Sequence, residues 1–544
     1  MSYSNKVSES SAATRLFVSV ALVWMWSACS DDQDDFAGDG SVEPSVDSCE
    51  TPSADAPPEI LDNTRLTADE VRQFFRESQG SELFPVDWLL ALRKEGGEPF
   101  FIPERPGFGL LVDTDRTSNL HGLPIGMTSS PAHGDGLEDI DMFGFNCAAC
   151  HVGEVRAENK VYRIIGAPSM FDINAFRIQF AETLGSTIAS PERVSQFVAE
   201  LAKNDSHTLA ASRSVVGADP TDTTAAGRAR MLEAFLAHFR EPLRVFVAKQ
   251  FAPTKPPPAY TAAGPGRADA FGTAHNLFFP DDPWPLTAPV DYPRLWNLSL
   301  MERYHWDGNT SSTLQRNVGQ AIGLGAKFDP DTFESTARFD TLVKFEALIR
   351  KIDPPRWPFA LPDASLVGRG FEIYRSRCAQ CHSRESGVSD PDVGTDPNRA
   401  TSFAGITARG PFYEVLENTM KNVIEKAGIA SREYDYADEG AVWSAPGTYQ
   451  TRTLAGIWAS APYLHNGSVP TLAALLSPSQ RPAEFDAGGH QLDLANVGYC
   501  KPANVEPRMK REASKPGNGV AGHDYGSELK PHDKRALIAY LRTL

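Results

Sequence analysis

The chain has 544 residues, 41% of them hydrophobic, and a formal charge of −18. That length allows two to four domains with a large buried core, and the lack of basic clusters able to neutralise phosphates excludes nucleic acid as a partner. Much of the acidity is local, since residues 30–60 hold ten Asp or Glu and no Lys or Arg.

Residues 1–29 read as an export signal. Lys6 and Arg15 supply a positive start, Leu16 to Trp26 a short apolar run, and the small residues Ser27 and Ala28 precede Cys29. The run is too short for a comfortable membrane span. Small-small-Cys is the pattern of a bacterial lipoprotein signal, from which Trp26 departs where an aliphatic residue is usual. A lipid on Cys29 would hold the protein on a bacterial membrane, in the periplasm or at the cell surface, without a spanning helix; secretion is the alternative. Residues 30–65 form an acidic flexible tether, too poor in large apolar residues to fold.

Folded structure is expected from residue 66. Thr67 and Glu70 make a capping box for a short helix through Phe75. Pro- and Gly-rich loops lead through Gly122-Leu-Pro-Ile-Gly-Met-Thr128 to Cys147-Ala-Ala-Cys150-His151. Cys-x-x-Cys-His is the attachment signature of a c-type haem: the thiols bond to the porphyrin edge and the adjacent imidazole reaches the iron. A zinc knuckle or a redox dithiol gives no reason for His directly after the second Cys. No amphipathic helix precedes Cys147, so this is no minimal cytochrome c. Helices are expected over Ile173 to Leu184, from a Ser190 cap with Pro191 at its first position, and over Gly227 to Lys249. Residues 251–293, dense in Pro and Gly, read as ordered loop over the domain surface. The mixed aromatic and polar run from Arg294 to Asn309 suits a pocket wall, with Glu302, His305 and Trp306 as candidate catalytic residues. Helices follow from Ser312 and near Phe339 to Ile352, and Pro354 and Pro355 mark a domain boundary.

The attachment signature recurs as Cys378-Ala-Gln-Cys381-His382. Asp363 caps the helix before it, with Val367, Gly370, Phe371 and Tyr374 on one face. A closing helix from Pro531 to Leu544 buries Leu537, Ile538, Leu541 and Leu544. Gly370/Phe371 and Tyr540/Leu541 supply the small and aromatic residues that a crossing of these two helices wants. The expected fold class is mainly α: two cytochrome c-like haem domains with long ordered loops, an N-terminal one over 66–355 and a C-terminal one over 356–544. Cys49 and Cys500 remain, as two free thiols or as a disulfide in an oxidising compartment.

Function turns on the second axial position of each iron. A strong ligand there makes an electron carrier; an open position binds peroxide or dioxygen. For the C-terminal haem, His523 is the expected sixth ligand, because its flanking glycines let the backbone approach a flat cofactor; the alternatives are a methionine and His465, the latter more simply read as a structural histidine. For the N-terminal haem, His121 and His133 stand in ordinary loop settings, so an open site is expected, lined by His305, Trp306 and Glu302. A polar group there could serve as general acid/base toward an O–O bond, and Trp306 could relay an electron or simply pack.

The two motifs, Gly122-Leu-Pro-Ile-Gly126, the run Thr451 to Ser468 containing Trp458 and His465, and Gly522-His-Asp-Tyr-Gly526 resemble the di-haem cytochrome c peroxidase superfamily of MauG- and RoxA-like proteins. The large RoxA-like branch is the nearest, over residues 65–544. The resemblance implies a two-domain, mainly helical fold with one haem per domain. The haem on His151 would be the reactive one; the haem on His382 would be six-coordinate, with His523 matching the family's distal histidine. Relatives often carry a calcium ion near the haems, so the resemblance extends to one calcium ion here, with its ligands unassigned. Rubber oxygenases of that branch have a second aromatic shortly after the tryptophan that Trp306 resembles, whereas Val318 to Leu324 holds none, which puts rubber cleavage in doubt. The expected activity is that of a di-haem peroxidase, with a periplasmic electron donor or acceptor (a small cytochrome or copper protein) and a small oxidant, peroxide or dioxygen. A RoxA-like oxygenase acting on an apolar substrate and a non-catalytic electron-transfer cytochrome are the rival readings.

Overall fold

His151 ends the short helix Cys147–His151, and the chain runs on without a loop into the strand Val152–Ala157. That strand pairs antiparallel with Lys160–Ile165, the centre of a three-stranded sheet whose other edge is Glu59–Ile60. A second three-stranded sheet sets Asp141–Phe145 between Phe84–Pro85 and Met127–Pro131. The computed structural model describes residues 56–132, 140–203, scattered positions from 222 to 237, 257–329, 331–383, 389–390, 393–426, 443–500 and 508–544. The export signal with Cys29, residues 30–55 of the tether, Cys49, His133 and most of the expected helix Gly227 to Lys249 lie outside them.

The fold is mixed α/β, with 39% helix and 15% strand, which corrects the expectation of a mainly α protein built from two cytochrome domains. The strands around the first motif are buried on both faces. They therefore carry no polar alternation for a reading by periodicity to find. The expected boundary after Pro355 is crossed by one continuous core. Phe74, Ile164 and Phe345 from before it share a cluster with Trp357, Trp458 and Leu537 from beyond it, and residues 46–544 form a single compact unit.

Local signals were more legible. Thr67 and Glu70 form the capping box that opens Ala68–Arg76. Ser190 caps Pro191–Ala202, Ser312 caps Thr313–Gly323, and Asp363 caps Ala364–Arg377. Ile173–Ala189 and Phe339–Ile349 are helical as expected. The stretch 257–291 is more than loop: Asp269 caps a helix, Ala270–Phe278, that buries Phe271 and Phe278 in a third core cluster. The helices Ala364–Arg377 and Pro531–Leu541 cross at Gly370, where Phe371 meets Tyr540 edge-on at 5.5 Å.

Two segments, 290–313 and 449–472, share one backbone course at a constant offset. Each begins with a two-residue strand, Val290–Asp291 and Tyr449–Gln450. A left-handed residue, Asn297 (φ 64°) or Gly456 (φ 65°), then starts a 3-10 turn, Leu298–Leu300 or Ile457–Ala459. Two more positive-φ residues follow, His305 and Gly308 in one copy, Leu464 and Gly467 in the other. They lie inside a bridged turn that joins Tyr304 to Thr310 and Tyr463 to Val469. A hydroxyl cap, Ser312 or Thr471, opens the helix that ends the unit. The copies grip each other reciprocally. Gln450 N–H donates to the Trp306 carbonyl at 2.8 Å, and its counterpart Asp291 donates to the carbonyl of His465, counterpart of Trp306, at 2.9 Å. Such exchange is what a local two-fold axis imposes.

Candidate haem sites

The first attachment motif is a buried wedge. Asn146 caps it by accepting from Ala148 N–H and anchors it by donating to the carbonyls of Phe74 and Glu77. Cys147 and Ala148 join the core of Phe74 and Ile164, whereas Ala149 and Cys150 join the aromatic core of Phe143 and Phe176. Gly126 is required beside it, because a side chain there would sit 1.9 Å from Ala149 N. Burial pushes the Cys147 thiol up to about 11 and Cys150 to about 12. Burial, helped by the Arg316 guanidinium, pushes His151 down to about 3 and keeps the imidazole neutral, the form that ligates iron.

The second motif is partly exposed. His382 Nδ1 donates to the Arg452 carbonyl at 2.7 Å, which fixes the tautomer with its lone pair on Nε2. The repeat extends this arrangement to the first motif. Pro293 is the counterpart of Arg452, and its carbonyl bears on His151, opposing the burial shift, although no well-formed hydrogen bond satisfies His151 Nδ1.

Facing His382 stands His523, ring centroids 6.0 Å apart at 55°. Two imidazoles that share one metal at about 2 Å each hold their centroids about 6 Å apart, so the pair fits an iron between them. His523 takes a left-handed φ of 50°, and its N–H donates to the Val393 carbonyl at 2.7 Å. A side chain at Gly522 would fall 2.2 Å from the Gly394 carbonyl carbon. Arg481 ties the loop down, donating to the carbonyls of Val520, Gly522 and His523. The buried Nδ1 of His523 has no hydrogen-bond partner. Burial and then His382 push this ring down to about 4.

His465 stacks instead on Tyr449, centroids 3.9 Å apart, and burial holds it neutral, its pKa down to about 3 from 6.5. A neutral buried His gives stability that is complete above about pH 6.5 and is lost as the pH falls from there toward its depressed pKa. His465→Gln is therefore expected to reduce by one the protons taken up on unfolding near pH 5, read from the pH dependence of the denaturation midpoint. An unchanged acid slope would assign the uptake to other groups.

His305 and Trp306 come together on a narrow cavity walled also by Met301, Tyr304, Arg316 and Arg452. Pro293, whose carbonyl bears on His151, completes that wall, so the cavity lies between the two motifs. His305 Nδ1 pairs with Asn309 Oδ1 at 2.6 Å and its ring meets Phe271 edge-on. Burial pushes its pKa well below the usual value. Trp306 Nε1 donates to the Asp291 carbonyl at 2.9 Å. Glu302, by contrast, is exposed and takes no part in the wall. His121 lies beside Asp141 at 3.3 Å. Arg316, Arg452 and Pro293 escaped the sequence reading, since nothing marks a single Arg or Pro until the fold places it.

Cys500 is disulfide-bonded to a partner outside the described residues. Among the described residues no cluster of three or more His, Cys, Asp or Glu is arranged to hold a metal ion, so calcium ligands are not shown. No helix there is long and apolar enough to cross a membrane.

A family model described as RoxA-like, cytochrome c-like matches residues 448–486, a span containing the second copy of the repeat. The uncharacterized protein y4iJ of Sinorhizobium fredii is 28% identical over 568 residues, covering 86% of this chain and 90% of that protein. The uncharacterized protein y4iM of the same organism is 30% identical over 308 residues, covering 52% of this chain and 67% of that protein. The chain thus belongs to one family with these Sinorhizobium proteins, and its RoxA-like, cytochrome c-like domain at residues 448–486 implies haem binding.

Proposed function

We propose that the protein is an exported di-haem c-type oxidoreductase of the peroxidase kind. The observation that supports a second haem is the repeat: it sets the Pro293 carbonyl by His151 as it sets the Arg452 carbonyl by His382. When bound, the haems supply electron transfer and activation of an O–O bond. The chain's own residues hold and tune them. His382 and His523 would hold the C-terminal haem iron, and the partly exposed attachment residues there suit exchange with a small periplasmic cytochrome or copper protein. His151 holds the N-terminal haem, with His305 and Trp306 beside it for a small oxidant, peroxide or dioxygen. Because Asn309 Oδ1 accepts from His305 Nδ1, the other ring nitrogen carries a lone pair able to accept a hydrogen bond. A lipid on Cys29 would keep the enzyme at a membrane surface.

The purified exported protein is expected to contain two haems per chain by the pyridine haemochrome assay, and Cys147→Ser/Cys150→Ser only one. Two haems surviving in that variant would refute the N-terminal site. Peroxide-dependent oxidation of a reduced small cytochrome then tests the reaction. The RoxA-like match favours one rival, an oxygenase acting on an apolar substrate, which oxygen uptake without peroxide turnover would indicate.

A further inference from the structure

The two copies of the repeat diverge sharply where their helices begin. The second copy is apolar there: Ala474, Leu475 and Leu476. At the matching positions the first copy has Gln315, Arg316 and Asn317, all buried, with Arg316 only 6% exposed. A guanidinium taken out of water without a counter-charge costs several kcal/mol. Arg316 has no ion pair among the described residues; its hydrogen bond is a long one, 3.4 Å, to Asn317 Oδ1. It borders two adjoining cavities, sharing Leu298 and Tyr304 between them. The cavity beside His305 has no acidic residue in its wall and a second guanidinium, Arg452, across it. The neighbouring cavity contains Glu346, whose Oε1 accepts from Thr313 at 2.6 Å and from Arg350 at 2.8 Å and which makes no ion pair with Arg316.

We propose that Arg316 is the cationic anchor of a buried carboxylate site next to His151, a site that the second copy of the repeat has given up for leucine. The carboxylate is either a propionate of the N-terminal haem or that of a free organic acid. The first source rests on the di-haem reading; the second does not. Arg316 pairs with the anion bidentately, as a planar guanidinium does with a carboxylate, and its Asn317 contact holds the fork in place.

The test uses the full haem-loaded protein with Arg316→Leu, the residue of the second copy, and Arg316→Gln. A haem count checks the di-haem reading separately. Should Arg316 hold a propionate, both variants raise the ferric-to-ferrous ratio of the N-terminal haem about tenfold at fixed potential, a fall of ~59 mV, and leave the C-terminal haem unchanged. Should it hold a free acid, acetate, titrated by visible absorbance, binds the variants at least tenfold more weakly than the parent, and saturating acetate shifts the N-terminal potential of the parent but not of the variants. Either result supports the site. Folded variants that match the parent in both potentials and acetate affinity overturn it. So does loss of the fold in both variants, which would make Arg316 a structural cation.

Discussion

His523→Ala is expected to convert the C-terminal haem iron from low spin to high spin while the chain stays folded. The ring of His523 stands opposite His382 at the spacing of two imidazoles on one metal. The substitution removes the proposed sixth ligand without disturbing the loop, whose backbone is held by the His523 N–H to Val393 and by Arg481 to three carbonyls. Electron paramagnetic resonance of the oxidised protein reads the change directly. A low-spin signal that persists would move the sixth ligand to His465 or to a methionine. Arg481→Ala offers no substitute for this test, because it frees the loop and the ligand together.

The other large effect concerns stability. Gly370→Leu is expected to destabilise the fold by about 3 kcal/mol and to lower the thermal midpoint accordingly. A side-chain carbon at Gly370 would lie 2.0 Å from the Ala536 carbonyl oxygen and 2.7 Å from Tyr540 Cβ. Neither can yield easily. The carbonyl belongs to the helix Pro531–Leu541, and the Tyr540 ring is flanked by Phe371 and Tyr374, at 5.5 and 5.2 Å. The same helix as Gly370 holds a control. A methyl group on Gly368 would meet nothing within 4 Å, so Gly368→Ala should be neutral or gain about 0.5–1 kcal/mol from lower backbone freedom in the unfolded chain. Equal melting of the two variants would show that the helix crossing does not limit stability.

What could be read in the sequence was short-range chemistry. The Thr67–Glu70 box and the Asp363 cap each depend on a few adjacent residues, and each stands where its spacing put it. The Gly370 crossing was legible because a glycine beside aromatic residues on one helix face is an unusual choice unless another helix packs closely there; Gly370 is buried at the contact while Phe371 stays half exposed at its edge. The strands after His151 were not, since sequences such as Val152 to Ala157 buried on both sides leave no alternation. The repeat was hidden for another reason. Its shared feature is backbone shape, and the residues identical in both copies are Leu295/Leu454, Tyr304/Tyr463 and Gly308/Gly467; a left-handed position can be filled by Asn297 in one copy and Gly456 in the other. Glu302 was drawn into the candidate site by its neighbours in sequence, but the turn that carries His305 and Trp306 inward points it to solvent.

The reciprocal clasp at Trp306 and His465 also governs spacing. Any sliding of one half of the molecule past the other would have to stretch both bonds together, so the separation between the two pockets is fixed by the scaffold and not by the cofactors. Tunnelling rates decay exponentially with distance. In the proposed di-haem reading, a clamp of this sort would hold the tunnelling distance between the two haem sites constant.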